Sequence, residues 1–380
     1  MIEKRKGMTG VMVNNRNTKK KKISVLVVGA GPAGVSAAFF LKHYDMEGAV
    51  AVTLAERLDD ARYPVYHDMC GEAVSQFLCK DLEPLRPEGF VEKIHLMKDI
   101  YPGNIVLTTQ TNGYIINRAE FLKSIIGTFE KAGGIYENAT VKNVSSDNEK
   151  VTVAFEHGTQ TFDYVVAADG PNSQIRTSLG IEGKKIKVIQ YIVDKKPSRG
   201  LLEFYYDEAY EGNYKYVFPH ENNVKIGFPV LPGKKFEPEE EIIQKQIRFT
   251  ACGGVKHYVM GRVLLVGDAA CQTNILTKGG IRAGMVAGKM AAKALNLHRP
   301  ELYEDSWKKS GFSSDIFQKA FLRLQTMKNP ELESHIRPFY EYQTSDSVLK
   351  SGKLWMDLAL YHRRYLGIYN AYKATETYGW

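Results

Sequence analysis

The sequence predicts an α/β protein in which two separated parts of the chain build one parallel sheet flanked by helices. Three observations support this prediction. Near the start, "ISVLVVGAGPAGVSAAFFLKHYD" reads as a buried strand, a glycine-rich turn and a helix. Much later, "RVLLVGDAA" reads as a second buried strand, and a long helix of small residues follows it. Between the two lie short aromatic-rich segments, which predict an inserted antiparallel sheet.

The bulk composition is that of a soluble globular protein. The chain has 380 residues, of which 44% are hydrophobic and 25% are charged, enough for two or three domains. No window holds the eighteen or more apolar residues of a spanning helix, so no integral membrane segment is expected. The four cysteines form no CxxC pair. We therefore predict neither a zinc site nor a cysteine-ligated cluster, and expect a reducing cytoplasm.

Basic residues exceed acidic ones, at 51 against 43, for a formal charge of +8. Part of the excess lies in the first 22 residues, "MIEKRKGMTGVMVNNRNTKKKK", where no apolar run follows the charges. We interpret 1–22 as a disordered basic tail and not as a signal peptide or anchor. Weak contact with anionic lipid headgroups is the alternative interpretation. No nucleic-acid partner is predicted.

The first strand, turn and helix, together with the strand "AVAVTLAE", form a βαβ unit with a dinucleotide-binding fingerprint. Gly29, Gly31 and Gly34 have GxGxxG spacing: the first permits the tight turn, the second lets a pyrophosphate approach, and the third lets helix and strand pack closely. Glu56 closes the second strand, where a carboxylate can accept hydrogen bonds from ribose hydroxyls. Strand, helix and acid in register predict a Rossmann-like domain.

The next elements are a short helix in "EAVSQFLCKDL", strands from Ile94 to Ile116, a helix from Arg118 to Ala132, and strand segments that end at "FDYVVAADG". Short β-rich pieces follow between Ile186 and Phe228 and predict the separate sheet.

The late strand decides between a nicotinamide and a flavin cofactor. Asp268 stands at its end, and Gly279 and Gly280 begin the helix that runs to Leu297. An aspartate there can bind a ribityl hydroxyl, and a helix N-terminus can stabilise negative charge on a flavin ring. A nicotinamide protein has no need of this second element, so FAD is the predicted cofactor.

Three separated stretches now resemble one family. "VVGAGPAG", "DYVVAADGPNSQIR" and "GRVLLVGDAA" resemble the fingerprints of the para-hydroxybenzoate-hydroxylase-type flavoproteins, which include flavin halogenases and geranylgeranyl reductases. Within that group, "MCGEA", "NILTKGGI", "YKYVFP" and "YIINRAEFLKSI" are similar to the archaeal geranylgeranyl reductases. The resemblance covers roughly 23–297. The chain departs from the family pattern at His67, Asp68 and Met69, where a basic residue is usual, in the segment from Ile275 to Gly279, and at Tyr216, where tryptophan is common.

The order of these elements along the chain predicts a domain plan. Segments 23–180 and 252–300 are predicted to form a discontinuous FAD-binding domain with part of the catalytic region. Segment 181–251 is predicted to be a β-rich substrate domain, and 301–380 a helical region. Carried over residue by residue, the implied FAD contacts, beyond Gly29 and Gly31, are Gly34, Glu56, Cys70, Gly71, Ala73, Arg118, Val141, Asp268, Gly280 and Ile281.

The implied reaction saturates an isolated alkene, which requires a hydride at one carbon and a proton at the other. Cys70 and Tyr216 are the predicted catalytic residues. An unperturbed thiol has a pKa of about 8.5 and is mostly protonated at neutral pH, so Cys70 can donate the proton. A lone cysteine is also commonly buried packing. Tyr214, Tyr216, His67 and Glu72 are weaker candidates for the donor.

The predicted partners are a hydrophobic prenyl or lipid substrate and an external electron donor: NAD(P)H, ferredoxin or a deazaflavin. The sequence has no second glycine fingerprint after another strand, so no dedicated nicotinamide domain is predicted. The alternating aromatic strands "LLEFYYDEAY" and "YKYVFP" are expected to line a tunnel for an isoprenoid chain, although an ordinary sheet core has the same alternation. The segment "LWMDLALYHRRYLGIYNAYK" packs on its own protein or lies on a membrane surface. The expected location is the cytoplasm, with contact at the inner face of the membrane as an alternative.

Two other functions remain open from the sequence. One is an FAD-dependent monooxygenase or halogenase of the same fold. Halogenases usually carry a Trp-x-Trp-x-x-Pro segment, and the three tryptophans, Trp307, Trp355 and Trp380, form no such pair. The other is a non-catalytic flavin-binding redox partner.

Overall fold

The structure is a computed structural model that describes residues 22–344, 356 and 365–380. The predicted basic tail over 1–22 lies outside the described residues except for its last position. Much of the C-terminal segment over 354–373 also lies outside them.

Strands and helices alternate from Ile23 to Asp81, strands predominate from Phe90 to Leu265, and helices dominate the end. The strands are β1 (Ile23–Val28), β2 (Val50–Glu56), β3 (Ala73–Ser75), β4 (Phe90–Tyr101), β5 (Ile105–Ile116), β6 (Ile135–Asn138), β7 (Val141–Ser146), β8 (Val151–Phe155), β9 (Gly158–Phe162), β10 (Tyr164–Ala167), β11 (Lys185–Val193), β12 (Leu201–Tyr205), β13 (Lys215–His220), β14 (Asn223–Pro229), β15 (Ile242–Ala251), β16 (Val259–Met260) and β17 (Val263–Leu265). The helices are α1 (Pro32–His43), α2 (Arg62–Asp68), α3 (Phe77–Asp81), α4 (Arg118–Lys131), α5 (Gln174–Ser178), α6 (Ile281–Asn296), α7 (Glu301–Lys309), α8 (Ile316–Gln325), α9 (Asn329–Thr344) and α10 (365–378).

The first sheet has the order β16-β17-β10-β1-β2-β6 and is parallel except at β16. Its central strands are almost fully buried, which explains their continuous apolar sequence. Helix α6 packs on α1 so closely that a Cβ at Gly288 would lie 2.3 Å from the carbonyl oxygen of Ala33. The late strand therefore returns to the first domain, as the sequence predicts.

The second sheet has the order β15-β11-β14-β13-β12-β4-β5-β3. Its neighbours are antiparallel except for β12 and β4, which are parallel. It takes strands from 73–116 as well as from 185–251, so it extends beyond the segment 181–251. The domain boundaries themselves remain a prediction.

The start of the segment "EAVSQFLCKDL" is a strand and not a helix. Ala73–Ser75 forms β3, which pairs with β5, and only Phe77–Asp81 is helical. The pairing with β5 overrides the local helical pattern, because an edge strand gains backbone hydrogen bonds that sequence spacing does not reveal.

The C-terminal helices pack on the loop that precedes α6. Tyr365, Ile368 and Ala371 of α10 are buried in one cluster with Leu276 of that loop and Phe321 of α8. This face of α10 therefore lies against its own protein. Among the described residues, no helix has the length and apolar character that crossing a bilayer requires.

Candidate active site

A large cavity lies between the two sheets. Its volume is about 1130 Å³, above the roughly 300–1,000 Å³ of typical small-molecule sites, so it has room for a cofactor and a second molecule. All the predicted site residues line the cavity except Gly34, which packs beneath the turn: Gly29, Gly31, Glu56, Cys70, Gly71, Ala73, Arg118, Val141, Tyr216, Asp268, Gly280 and Ile281.

The glycine-rich turn has the geometry that its spacing predicts. Gly29 has a φ of +97°, and a Cβ there would lie 2.5 Å from the carbonyl oxygen of Ala168. A Cβ at Gly34 would lie 1.8 Å from the carbonyl oxygen of Gly29. At Gly31, by contrast, a Cβ would meet nothing within 4 Å among the described residues, so this backbone faces open space.

Glu56 is fixed beside this turn at the end of β2. Its side chain is buried, and its two carboxylate oxygens accept hydrogen bonds from the backbone N–H groups of Ala30 at 2.7 Å and Leu58 at 2.9 Å. Two bonds leave further lone pairs on the carboxylate for a ligand in the cavity. Val141, the first residue of β7, lines the same end of the cavity.

Arg176 ties two of the recognised stretches together. Its Nη1 donates to the carbonyl oxygens of Asp268 at 3.3 Å and Ala269 at 3.1 Å, and its Nη2 donates to that of Pro171 at 3.2 Å. Asp268 accepts a bond from the hydroxyl of Thr273 at 2.6 Å. Burial raises the pKa of Asp268. The guanidinium therefore holds the loops that carry the acid.

Two helices begin at the cavity with glycine N-caps. Gly31 precedes α1 and Gly280 precedes α6, and a glycine has no side-chain oxygen with which to cap the first N–H groups of its helix. Free N–H groups at a helix N-terminus, together with the helix dipole, form a site for negative charge. One such terminus lies beside Glu56 and the other beside Asp268.

Cys70 and Gly71 lie in the turn between α2 and β3. The Sγ of Cys70 accepts a hydrogen bond from the backbone N–H of Glu72 at 3.4 Å, and the residue is half-buried. A Cβ at Gly71 would lie 2.8 Å from the ring of Phe218 and 3.5 Å from that of Tyr216. The turn thus lies directly against the aromatic strand β13.

Lys225 of β14 holds this turn from behind. The residue is 1% exposed, and its Nζ donates to Glu72 Oε2 at 2.6 Å, to Asp68 Oδ1 at 2.8 Å and to the carbonyl oxygen of Asp68 at 3.0 Å. Burial raises the pKa of Glu72, although Lys225 and Arg118 oppose that rise. Burial acts in the same direction on Asp68, but the attraction and hydrogen bond of Lys225 outweigh it and lower the pKa.

The same carboxylates also resemble a metal site. Asp68, Glu72 and His220 offer ligand atoms within 4.8 Å of one another. However, the Lys225 ammonium is already hydrogen-bonded to both carboxylates and supplies the positive charge that a cation would bring. We therefore assign these residues to an ion-pair network.

Arg118 begins α4 and binds the end of α2. Its Nε donates to the carbonyl oxygen of His67 at 2.8 Å, and its backbone N–H donates to Glu72 Oε1 at 2.9 Å. His67 is 2% exposed, and its two ring nitrogens have no hydrogen-bond partner in the described structure. Burial, with Arg118 and Arg248 nearby, lowers the pKa of His67 to about 2, so the ring is neutral.

Tyr216 belongs to a chain of polar side chains that crosses the second sheet. Its hydroxyl donates to Gln190 Oε1 at 2.5 Å, and Gln190 Nε2 donates to Gln246 Oε1 at 2.5 Å. Gln246 Nε2 then donates to Asp68 Oδ2 at 2.8 Å. Burial, with Cys70 nearby, raises the pKa of Tyr216 well above its usual value, so the hydroxyl keeps its proton.

The part of the cavity beyond Tyr216 is lined by aromatic side chains and by the carboxyl group of Asp99. Tyr101 and Tyr206 stack with their ring centroids 4.5 Å apart, and the Tyr206 hydroxyl donates to Asp99 Oδ1 at 3.1 Å. Burial raises the pKa of Asp99 to about 6. The Tyr214 hydroxyl donates to the carbonyl oxygen of Thr277. A largely apolar cavity with a few placed polar groups suits a mainly hydrocarbon ligand.

These features suit a flavin dinucleotide. The open space at Gly31 and the free helix start beside Glu56 fit a pyrophosphate and a ribose. The second helix start at Gly280 fits the negative charge of a flavin ring. The unpartnered ring nitrogens of His67, together with Asp169 Oδ1, are buried polar atoms in the described residues that a ligand could satisfy.

Comparison with known proteins agrees with this geometry. No family model matches the sequence. The digeranylgeranylglycerophospholipid reductase of Methanococcus aeolicus is 28% identical over 327 residues, which cover 75% of this chain and 81% of the relative. The same-named protein of Methanocaldococcus jannaschii is 28% identical over 356 residues, covering 82% and 88%.

The chain is thus similar to digeranylgeranylglycerophospholipid reductases over at least 75% of its length. A solved structure of a geranylgeranyl bacteriochlorophyll reductase-like protein from Thermoplasma acidophilum has the same fold as this chain, with a TM-score of 0.71 and 21% identity over 89% of this chain and 96% of that one. The flavin-dependent halogenase CmlS also has the fold, with a TM-score of 0.58 and 16% identity over 89% and 68% of the two chains. These likenesses confirm the predicted fold class.

Sequence reasoning overlooked several residues in the cavity wall and behind it. Lys225, Gln190 and Gln246 form the polar support of the Cys70 turn, and Trp380 lies at the cavity wall. One signal was available: Lys225 interrupts the apolar strand "NVKIGFP", and a charged residue inside a buried strand demands a partner.

Proposed function

We propose that the protein binds FAD and reduces carbon–carbon double bonds of prenyl chains. The observation that carries the proposal is that the cavity brings together the Gly31 turn, the start of α6, the Cys70 turn and an aromatic wall. The curated relatives named above are prenyl-lipid reductases by name, and their alignments span most of this chain.

In this proposal the chain holds the cofactor at two points. Gly31 and Glu56 bind the pyrophosphate and a ribose, while Asp268, Gly280 and Ile281 bind the ribityl chain and the ring. Gly71, Ala73, Val141 and Arg118 complete the site. When bound, reduced FAD supplies a hydride to one carbon of the alkene.

Cys70 supplies the proton that the other carbon requires. Its Sγ lies in the turn that Lys225 and Arg118 fix, so the thiol is held at one place in the cavity. We assign Tyr216 a wall and supporting role beside it, because its hydroxyl hydrogen already binds Gln190. The apolar rings next to these residues exclude water from the alkene.

The electron donor is external in this proposal and is NAD(P)H, ferredoxin or a deazaflavin. The substrate is a geranylgeranyl lipid or a prenyl precursor. We also propose a cytoplasmic protein that meets the membrane at its surface, where a lipid substrate would be delivered.

The test is to incubate the flavin-loaded protein with a chemical reductant and geranylgeraniol or digeranylgeranylglyceryl phosphate, without oxygen. We expect products that gain two hydrogens for each double bond, measured by mass spectrometry. Unchanged prenyl chains, together with hydroxylation or halogenation of an aromatic substrate in air, would favour the monooxygenase or halogenase alternative.

A further inference from the structure

The end of the described chain forms part of the cavity wall. Helix α10 ends at residue 378, and Gly379 and Trp380 follow it. Trp380 lines the cavity that Cys70 lines, and its ring belongs to one apolar cluster with Phe218 and Tyr216. Those two rings are the ones that touch the position of Gly71.

Three elements hold this segment in place through its backbone. The hydroxyl of Ser75 in β3 donates to the carbonyl oxygen of Trp380 at 2.7 Å. Arg282 of α6 donates to that oxygen at 3.4 Å and also to the carbonyl oxygen of Thr377. The hydroxyl of Thr277, just before α6, donates to the carbonyl oxygen of Gly379.

Two of these anchoring side chains are buried, and Thr277 is half-buried. Ser75 is 3% exposed and Arg282 is 5% exposed. The Nε of Arg282 is paired with Asp81 Oδ2 at 2.7 Å. A guanidinium that is buried and paired to a carboxylate is a rigid anchor, because few rotamers satisfy all its bonds.

Two glycines leave room for the segment. A Cβ at Gly113 would lie 2.4 Å from Cη2 of the Trp380 ring, and a Cβ at Gly279 would lie 2.0 Å from the carbonyl oxygen of Gly379. Contacts this short cannot exist, so any other residue at either position would displace the segment. Gly113 belongs to β5, and Gly279 lies in the loop just before α6.

We propose that Trp380, held by the backbone contacts of 377–380, forms a fixed wall of the substrate cavity and is a specificity-determining residue that limits the bulk of the prenyl chain beside Cys70. The inference rests on the proposed function for the identity of the substrate. Because the indole fills space next to Phe218 and Tyr216, its removal enlarges the cavity where the alkene would lie.

The test compares a slim ligand, geranylgeraniol, with a bulky two-chain ligand, digeranylgeranylglyceryl phosphate. For wild-type protein and W380A, all loaded with FAD, the Kd of each ligand is measured from the change in flavin fluorescence, and kcat/KM from product mass. In W380A we expect the preference for the bulky over the slim ligand to rise by about tenfold in Kd, a typical gain when a pocket is enlarged.

Two further variants guard against misfolding and generic effects. W380F keeps most of the ring bulk, so its preference should stay close to that of wild type. S75A removes one anchor and should shift the preference in the same direction as W380A but less. Thermal melting of each variant checks the fold, and S75A still tests the wall should W380A fail to fold.

The outcomes separate this inference from the proposed function. If the ratio of the Kd values for the bulky and the slim ligand is equal in wild type, W380A and S75A, Trp380 does not determine specificity. This conclusion would hold whatever the turnover. Altered Kd ratios without prenyl reduction by any variant would support the wall and count against the proposed reaction. Failure of wild type and W380A alike to bind either ligand would overturn both.

Discussion

Replacing Lys225 with methionine is expected to lower the free energy of unfolding by about 3–5 kcal/mol, the usual cost of removing one partner of a buried ion pair. The size follows from the site. Lys225 and Glu72 have side chains that are 1% and 6% exposed, and Nζ lies 2.6 Å from Glu72 Oε2. Methionine fills similar volume, so the cost comes from a carboxylate left buried without its cation and not from a hole.

The assay is urea unfolding of K225M, E72Q and the double variant K225M/E72Q, each without ligand. We expect the double variant to lose less stability than the sum of the two single variants, because E72Q removes the charge that K225M leaves unpaired. The side chain of Asp68 is 34% exposed and keeps its hydrogen bond from Gln246. Asp68 is therefore expected to contribute less than Glu72 to the loss of stability in K225M.

The pH dependence of the stability of K225M gives a second test of the ion pair. Burial raises the folded pKa of Glu72, and Lys225 opposes that rise, so K225M raises it further. A carboxyl whose folded pKa exceeds its unfolded value favours the fold below the unfolded pKa, and the benefit disappears as pH rises through the folded pKa. The deficit of K225M relative to wild type should therefore shrink as pH falls from 7 towards 4.5. A deficit under about 1 kcal/mol at pH 7, or strict additivity in the cycle, would refute the assigned ion pair.

Three further predictions concern single residues. C70A is expected to bind FAD normally and to lose about 10²–10⁴-fold in kcat for prenyl reduction, the usual contribution of a proton donor. The control variant C79A, on α3, should behave as wild type. Near-normal turnover of C70A would remove the thiol from the mechanism. G31V is expected to melt like wild type, because a Cβ at Gly31 meets nothing within 4 Å in the described residues, but to lose FAD in an equilibrium titration; retained FAD would show that the pyrophosphate lies elsewhere. The pKa of His67 is about 2 in the folded protein and about 6.5 in the unfolded chain, so the unfolded state binds a proton first as the pH falls. The free energy of unfolding of the unliganded protein should therefore fall by about 2 kcal/mol between pH 7 and pH 5 through His67. Urea unfolding of H67F should lack that part of the loss, and equal pH slopes would contradict the buried neutral ring.

The parts of the fold that the sequence predicts well are those with a local cause. The GxGxxG spacing predicts a distinct steric role for each of Gly29, Gly31 and Gly34. The position of Glu56 is predicted from the end of β2. The helix that begins at Arg118 is also predicted within a residue, because Asn117 caps it by accepting from the backbone N–H of Glu120.

The parts that the sequence does not reveal depend on distant partners. Lys225 lies 153 residues from Glu72 along the chain, and no periodic pattern in the sequence predicts that the two side chains pair. The strand β3 forms because β5 is beside it, although its own residues continue a helical pattern. The position of Trp380 in the cavity depends on space at Gly113 and Gly279, which only the three-dimensional arrangement shows.

In the proposed function, one cavity holds FAD and a prenyl chain, and Cys70 lies beside the alkene. The most direct measurement is anaerobic mixing of the photoreduced, FAD-loaded protein with one equivalent of digeranylgeranylglyceryl phosphate. We predict that flavin absorbance returns to the oxidised spectrum as one double bond gains two hydrogens for each flavin oxidised. A spectrum that stays reduced with an unchanged lipid mass, while air reoxidises the same sample, would contradict the account.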